Sequence, residues 1–270
     1  MHQPIFIISP LNRSGTNFVA RLLSNISELA TPSEIHEDYF LAYSDLLEKY
    51  ATQTRKHWGK ELKTDSHSVQ NEILEGFGAS MISLANSRME SKKKLLLKCP
   101  RPYNLHNFFT LFPTAKVIIC VRDGRDTVES FLRSFRHHNF KQVCGLWEKG
   151  CKEIDDFQKQ YANTPFHKQI LQIRYEDLYK QEVGTLKALT IFCDLGTNAL
   201  TPDSIASLPL FGSSTNRGKS NHLHWDPVEK TNDFNPVGRW ANWNWYQKWN
   251  FKKIAGASLL ELHYEESHKW

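Results

Sequence analysis

The 270-residue sequence contains no apolar run approaching the length of a membrane span, which excludes a transmembrane helix. It has no Cys-x-x-Cys. Its cysteines, Cys99, Cys120, Cys144, Cys151 and Cys193, are odd in number and scattered, which argues against a disulfide framework and for reduced thiols in a cytoplasmic protein. Core-like sequence begins at Pro4, so a secretory signal is not expected. Repeats are absent, and no change of composition marks a second domain, so residues 1–270 are expected to form one domain. A strong charge of one sign is also lacking. The formal net charge of +5 suits a small anionic ligand, and Lys92-Lys93-Lys94 is the only run of cations, so nucleic acid is not expected as a partner. His222-Leu223-His224 lacks a third ligand at a metal-binding spacing, so no metal is assigned.

What is present is concentrated in Pro4 to Leu23. Ile5-Phe6-Ile7-Ile8 is a short β-branched apolar run of the kind buried in a parallel sheet. Ser9 to Asn17 is polar and punctuated by Pro10 and Gly15, hence a loop, and apolar residues then recur at helical spacing at Phe18, Val19, Leu22 and Leu23. A strand, a tight loop and a helix start aim backbone N–H groups and the positive helix end at one point. Arg13, Ser14 and Thr16 add donors there. The loop is not the Walker pattern, because it has no first Gly and carries Arg before Ser-Gly-Thr instead of Lys after Gly. A plain βα turn is the simpler alternative.

Further strands are expected at Lys94–Cys99, Ala115–Val121 and Gln169–Tyr175, alternating with helices at 69–89, 103–111, 140–161 and up to Cys193. Residues 29–39 read as an acidic loop, 40–50 as a helix and 51–68 as a polar surface excursion. Residues 208–237 read as a long irregular, lid-like loop before a final helix from Gly238 to Tyr264. The tryptophans of that helix are expected to be core in preference to a sugar-stacking platform. In the middle of the chain, Arg122 ends the strongest strand and Ser130 follows eight residues on. The two could converge on one anion; alternatively Arg122 pairs with Asp123 or Asp126.

Taken together, NRSGTN, KVIICVRDGRDTVES and IRYEDL, in this order, resemble the sulfotransferase family. The resemblance spans nearly the whole chain. It implies an α/β three-layer sandwich with a central parallel sheet flanked by helices, P-loop NTPase-like. It implies transfer of a sulfuryl group from 3′-phosphoadenosine-5′-phosphosulfate (PAPS) to a hydroxyl or amine acceptor, leaving 3′,5′-adenosine diphosphate (PAP). By that resemblance Arg13, Ser14, Gly15, Thr16 and Asn17 would bind the 5′-phosphosulfate, and Arg122 and Ser130 the 3′-phosphate. Tyr175 would lie near the adenine or simply pack in the core. Arg217 and Lys219 are candidates for further phosphate contacts, unless their loop is merely solvated.

Sulfuryl transfer asks for in-line positioning, cations facing the leaving oxygen and a base for the acceptor proton, with no metal required. In the family's Arg-type members the base is a Glu about twenty residues past the loop Arg, which points to Glu34, with His36 and Glu37 close by. The His that aryl-type members place two residues after a Lys is missing here, where Lys98 is followed by Cys99-Pro100. Lys98 itself would steady the transferring group, or else snorkel from the sheet edge. The acceptor (small molecule, carbohydrate, lipid, polyketide or peptide) is open. A P-loop nucleotide or small-molecule kinase is the rival enzyme, and a nucleotide- or nucleic-acid-binding module the rival from another class.

Overall fold

In the computed structural model, residues 3–33, 35–62, 66–90, 93–197, 199–208 and 235–270 are described. In chain order the elements are β1 (Ile5–Ile8), α1 (Thr16–Ser24), β2 (Leu29–Ala30), α2 (Ser44–Leu62), α3 (Ser66–Ser87), β3 (Lys94–Cys99), α4 (Phe108–Leu111), β4 (Lys116–Val121), α5 (Gly124–Ser134), α6 (Phe140–Tyr161), β5 (Ile170–Arg174), α7 (Tyr175–Tyr179), α8 (Val183–Phe192), α9 (Pro202–Ala206) and α10 (Trp245–Glu261). The strands form one sheet in the order β2-β3-β1-β4-β5, and every pairing is parallel. Each sheet face is covered. Phe6, Ile8, Leu97, Val117 and Ile119 point toward α3, α4 and α6, and Ile5, Ile7, Leu96 and Ile118 toward α1 and α8. This two-sided burial is why the strands read as continuous apolar runs instead of alternating ones. Each fully buried Phe or Leu stabilises the fold by roughly 2 kcal/mol.

A third cluster joins α5, α6 and α10 around Trp147, Phe131, Phe251 and Leu259. Here the expectation for the C-terminal tryptophans is only half right. Trp243 is buried and Trp240 packs at the edge, but Trp245 and Trp249 are 77% and 51% exposed. Two other expectations need correction. Residues 51–62 are not a surface excursion but the continuation of α2, which packs against α3. Within 29–39, Leu29 and Ala30 form a short edge strand on β3.

The sheet order matters for function. β1 is central: the chain lays β2 and β3 on one side of it, then crosses past it to β4 and β5 on the other, so a crevice opens beyond its carboxyl end. The loop after β1 lies in that crevice. Ile8 is in register with Cys99 on one side and Ile119 on the other. The ends of β3 and β4 therefore flank the loop, carrying Lys98 and Arg122.

Candidate active site

The loop from Ser9 to Gly15 is fixed from both sides. From the β3 side, Ser9 Oγ donates to Pro100 O (3.0 Å) and Arg101 Nε to Asn12 Oδ1 (2.7 Å). From the β4 side, Arg122 Nη1 donates to Arg13 O (2.8 Å) and Cys120 Sγ to Ser14 O (3.3 Å). Ser14 Oγ donates within the loop, to Leu11 O (2.8 Å). Arg13 and Gly15 both take left-handed backbone conformations, φ 80° and 106°. At Gly15 a side chain is excluded twice over: the φ is costly for an L-residue, and a Cβ would lie 2.4 Å from Tyr175 Cδ2. Alternating handedness of this kind turns successive N–H groups inward, and α1 starts immediately after, at Thr16, with its first amides unspent.

On the β4 side the site is a cluster of guanidinium groups. Arg13 Nε donates to Ser130 Oγ on α5 (3.3 Å). Arg122 is buried, lies 4.9 Å from the Tyr175 ring centre, and its Nη2 donates to Pro236 O. Its Nε is buried with no hydrogen-bond partner among the described residues. The acids next in sequence are committed elsewhere. Asp123 caps α5 and pairs with Arg125 (2.7 Å), while Asp126 accepts from the backbone N–H groups of Gly238 (2.7 Å) and Trp240 (3.3 Å). Arg122 is thus not the structural partner of Asp123 or Asp126. The bonds to Pro236, Gly238 and Trp240 draw a strap of chain across α5 and bring Arg239 up to the same point. Burial lowers the pKa of Arg13 to about 10, helped by the charges of Arg122 and Arg239; Arg239 is lowered by burial and by Arg122. Guanidinium groups that act on one another in this way, together with the Ser130 hydroxyl, can receive an anion between them.

Glu176 explains the acidic part of IRYEDL. Buried at the start of α7, it accepts from Asp123 N–H (2.9 Å) and from Tyr264 O–H (2.9 Å), which locks the β4 loop to the C-terminal segment. Tyr175 is buried under Gly15, edge-on to Phe18 at 5.5 Å, with its hydroxyl pushed up to about 12 by burial.

On the β3 side the site is mixed in charge. Lys98 shares a sheet face with Leu96 and is buried against α1, where its Nζ donates to Asn17 Oδ1. Burial lowers its pKa, and Glu37, whose Oε1 stands 3.8 Å from Nζ, acts in the opposite sense. The segment carrying Glu37 is held by Asp38 N–H donating to Lys98 O (3.0 Å), and Tyr39 O–H donates to Glu37 Oε2. Burial pushes the Asp38 carboxyl up to about 6. Glu37, Tyr39 and Lys98 border a cavity of about 550 Å³, whose wall also includes Asn17, Ala20, Arg21, Pro32 and Ile35. His36 is exposed at its rim. Glu34, Arg217 and Lys219 lie outside the described residues.

Residues 4–199 match the model of the Sulfotransferase family. The chain belongs to the sulfotransferase family. No curated protein matches the chain. Among solved structures it is similar to the sulfotransferase domain of the Synechococcus PCC 7002 olefin synthase, with 20% identity, 95% of each chain covered and a TM-score of 0.55. It is also similar to the sulfotransferase domain of the curacin biosynthetic pathway, with 21% identity, 84% of each chain covered and a TM-score of 0.51. A mouse sulfotransferase solved with PAP matches at 17% identity over 95% of this chain and 84% of its own, with a TM-score of 0.53. At such identities the structures establish the P-loop NTPase-like fold, and the family match establishes a sulfuryl-transfer enzyme. The kinase reading is not favoured. Two residues of the site were not singled out in the sequence: Arg239, brought in by the strap, and Tyr39. A Gly-Arg-Trp directly after an irregular stretch was the available signal for the first; nothing marked the second.

Proposed function

We propose that this sulfotransferase uses PAPS, held across the loop after β1, to sulfate a hydroxyl or amine in the cavity beside Lys98. The observation that carries the reading is the division of charge about that loop. Arg13, Arg122, Arg239 and Ser130 converge on one side, and a Lys98–Glu37 pair stands on the other. The donor would supply the sulfuryl group and a phosphate leaving group. Arg122, Arg239 and Ser130 fit its 3′-phosphate, and the unpartnered Nε of Arg122 is a donor ready for it. The loop amides from Gly15 to Asn17, with Arg13, fit the 5′-phosphosulfate.

Lys98 would stabilise charge on the transferring group, kept in place by Asn17. Glu37 would take the acceptor proton as the new sulfur–oxygen (or sulfur–nitrogen) bond forms and the bond to the leaving phosphate breaks. Among the described candidates it is Glu37, not the rim residue His36, that stands against Lys98, and Tyr39 orients it. Glu34 is the base that the family resemblance implies. The cavity volume and its apolar wall fit a small-molecule acceptor with one reactive polar group. A single catalytic domain over residues 1–270 and a cytoplasmic location are part of the same reading, and five buried free thiols agree with the latter.

A thermal-shift titration tests the donor. PAP should raise the melting temperature without magnesium, and the Arg122→Ala protein should show no such rise. Equal stabilisation by ATP with magnesium would overturn the reading.

A further inference from the structure

The outer face of α10 takes no part in the site, yet it carries the most exposed large aromatic side chain of the described residues. Trp245, Tyr246 and Trp249 are 77%, 48% and 51% exposed. Their spacing, with Lys253 four residues beyond Trp249, puts all four on one sector of the helix. The helix is rigidly presented: Asn244 and Gln247 form a capping box at its start, and Phe251, Ala255 and Leu259 bury its inner face. Contiguous exposed rings, unlike a single exposed apolar residue, mark a surface that meets something.

The charged groups that the structure places over these rings are lysines. Between Glu129 and Glu148, and between Asp233 and Glu261, the chain contains no carboxylate, while Arg136, Lys141, Lys248, Lys252 and Lys253 fall in those two stretches; Arg133 is paired with Glu129 and Arg239 belongs to the site. Folding joins the stretches: Lys141 of α6 lies 5.6 Å from the Tyr246 ring centre, and Lys253 lies 5.4 Å from that of Trp249. A basic aromatic face therefore exists that the linear sequence, with its single run of cations, does not display.

We propose that this face docks on an anionic bilayer surface, with Trp245 and Trp249 among the lipid head groups and Lys141 and Lys253 against lipid phosphates. Amphipathic rings beside lysines are the composition of membrane interfaces. The geometry disfavours two other occupants. A sugar platform needs open ring faces, but Tyr246 and Trp249 stack on each other (6.5 Å, 23°) and Trp245 stands edge-on to Tyr246 (5.9 Å, 81°). The core of a protein interface is depleted in lysine, whereas here lysines sit at the rings.

Sedimentation with vesicles tests this, using phosphatidylcholine alone and phosphatidylcholine mixed with phosphatidylglycerol, at low and high salt. The protein should bind only the anionic vesicles, and less so in salt. Trp245→Ser with Trp249→Ser should weaken binding about tenfold or more, and Lys141→Gln and Lys253→Gln about fivefold each, with melting temperatures unchanged. Trp245→Phe with Trp249→Phe should retain most of it, which separates loss of the face from loss of the fold. No binding to anionic vesicles, or binding indifferent to all these substitutions, overturns the proposal. So does preference for heparin or single-stranded RNA over the vesicles.

Discussion

The two sides of the loop after β1 are built differently. On the β4 side the charged groups are tied to distant parts of the chain: Arg122 to Arg13 O, Pro236 O and the Tyr175 ring, and Asp126 to the backbone amides of Gly238 and Trp240. On the β3 side Glu37 depends on one backbone bond from Asp38, one hydroxyl from Tyr39 and a 3.8 Å ion pair. A donor common to a family can be met by a rigid cradle. An acceptor that differs from member to member is met by a segment whose side chains can change without disturbing the sheet.

The contrast predicts that substitutions on the β3 side alter turnover and spare nucleotide binding, while those on the β4 side do the reverse. The largest effect is expected at the base. Glu37→Gln keeps the shape and removes the proton acceptor, so kcat for an aliphatic alcohol should fall by about 10²–10⁴, with PAP affinity, read by calorimetry, unchanged. A greater loss in Glu34→Gln than in Glu37→Gln would return the base to the position the resemblance implies. On the other side, Arg122→Ala removes charge-assisted hydrogen bonds each worth about 1.5–3 kcal/mol, so PAP affinity should drop roughly a hundredfold. If kcat at saturating donor dropped as far, the division between the two sides would be broken.

These two sides were also unequally legible in the sequence. The strands announce themselves because both sheet faces are covered, and Arg122 and Ser130 stand at a strand end and one helix away, a spacing that local geometry preserves. Arg239 could not be placed, since its position depends on Asp126 accepting from Gly238 and Trp240, contacts more than a hundred residues long. The second half of α2 was missed for another reason: ATQTRKHWGKEL has too few apolar residues to show a helical stripe, and it is held by packing on α3. In the segment after β2, three acids and a His lie within five residues, and no pattern in them says which faces Lys98. A single backbone bond, Asp38 to Lys98, decides that.

Asp38 offers a smaller test that uses stability. Its carboxyl is raised to about 6 by burial, above its value in the unfolded chain, so the folded state binds the extra proton and stability falls as pH rises from about 4 to about 6. The full penalty persists above that window. Asp38→Asn keeps an oxygen for Phe40 N–H, which Asp38 Oδ1 now accepts at 3.0 Å. It should therefore raise stability at pH 8 by on the order of 1–2 kcal/mol and flatten the profile between pH 4 and 6 in urea melts. An unchanged profile would mean that the segment carrying Glu37 is more open to water than its contacts indicate.

The mildest substitution probes how finely that segment is adjusted. Tyr39 takes a left-handed backbone conformation, φ 49°, and is 43% exposed, which little in the core requires. What the conformation achieves is to turn the hydroxyl back onto Glu37 Oε2, two residues earlier, while Lys98 approaches Oε1. One carboxylate oxygen is thereby held from each side, and the group is aimed at the cavity. Tyr39→Phe deletes one neutral donor worth about 0.5–1.5 kcal/mol, so kcat should fall about three- to tenfold while PAP affinity and melting temperature stay put. A purely structural Tyr39 would show the opposite pattern, a lowered melting temperature with kcat intact, because its ring would then matter only for its packing against Tyr103 at 6.1 Å.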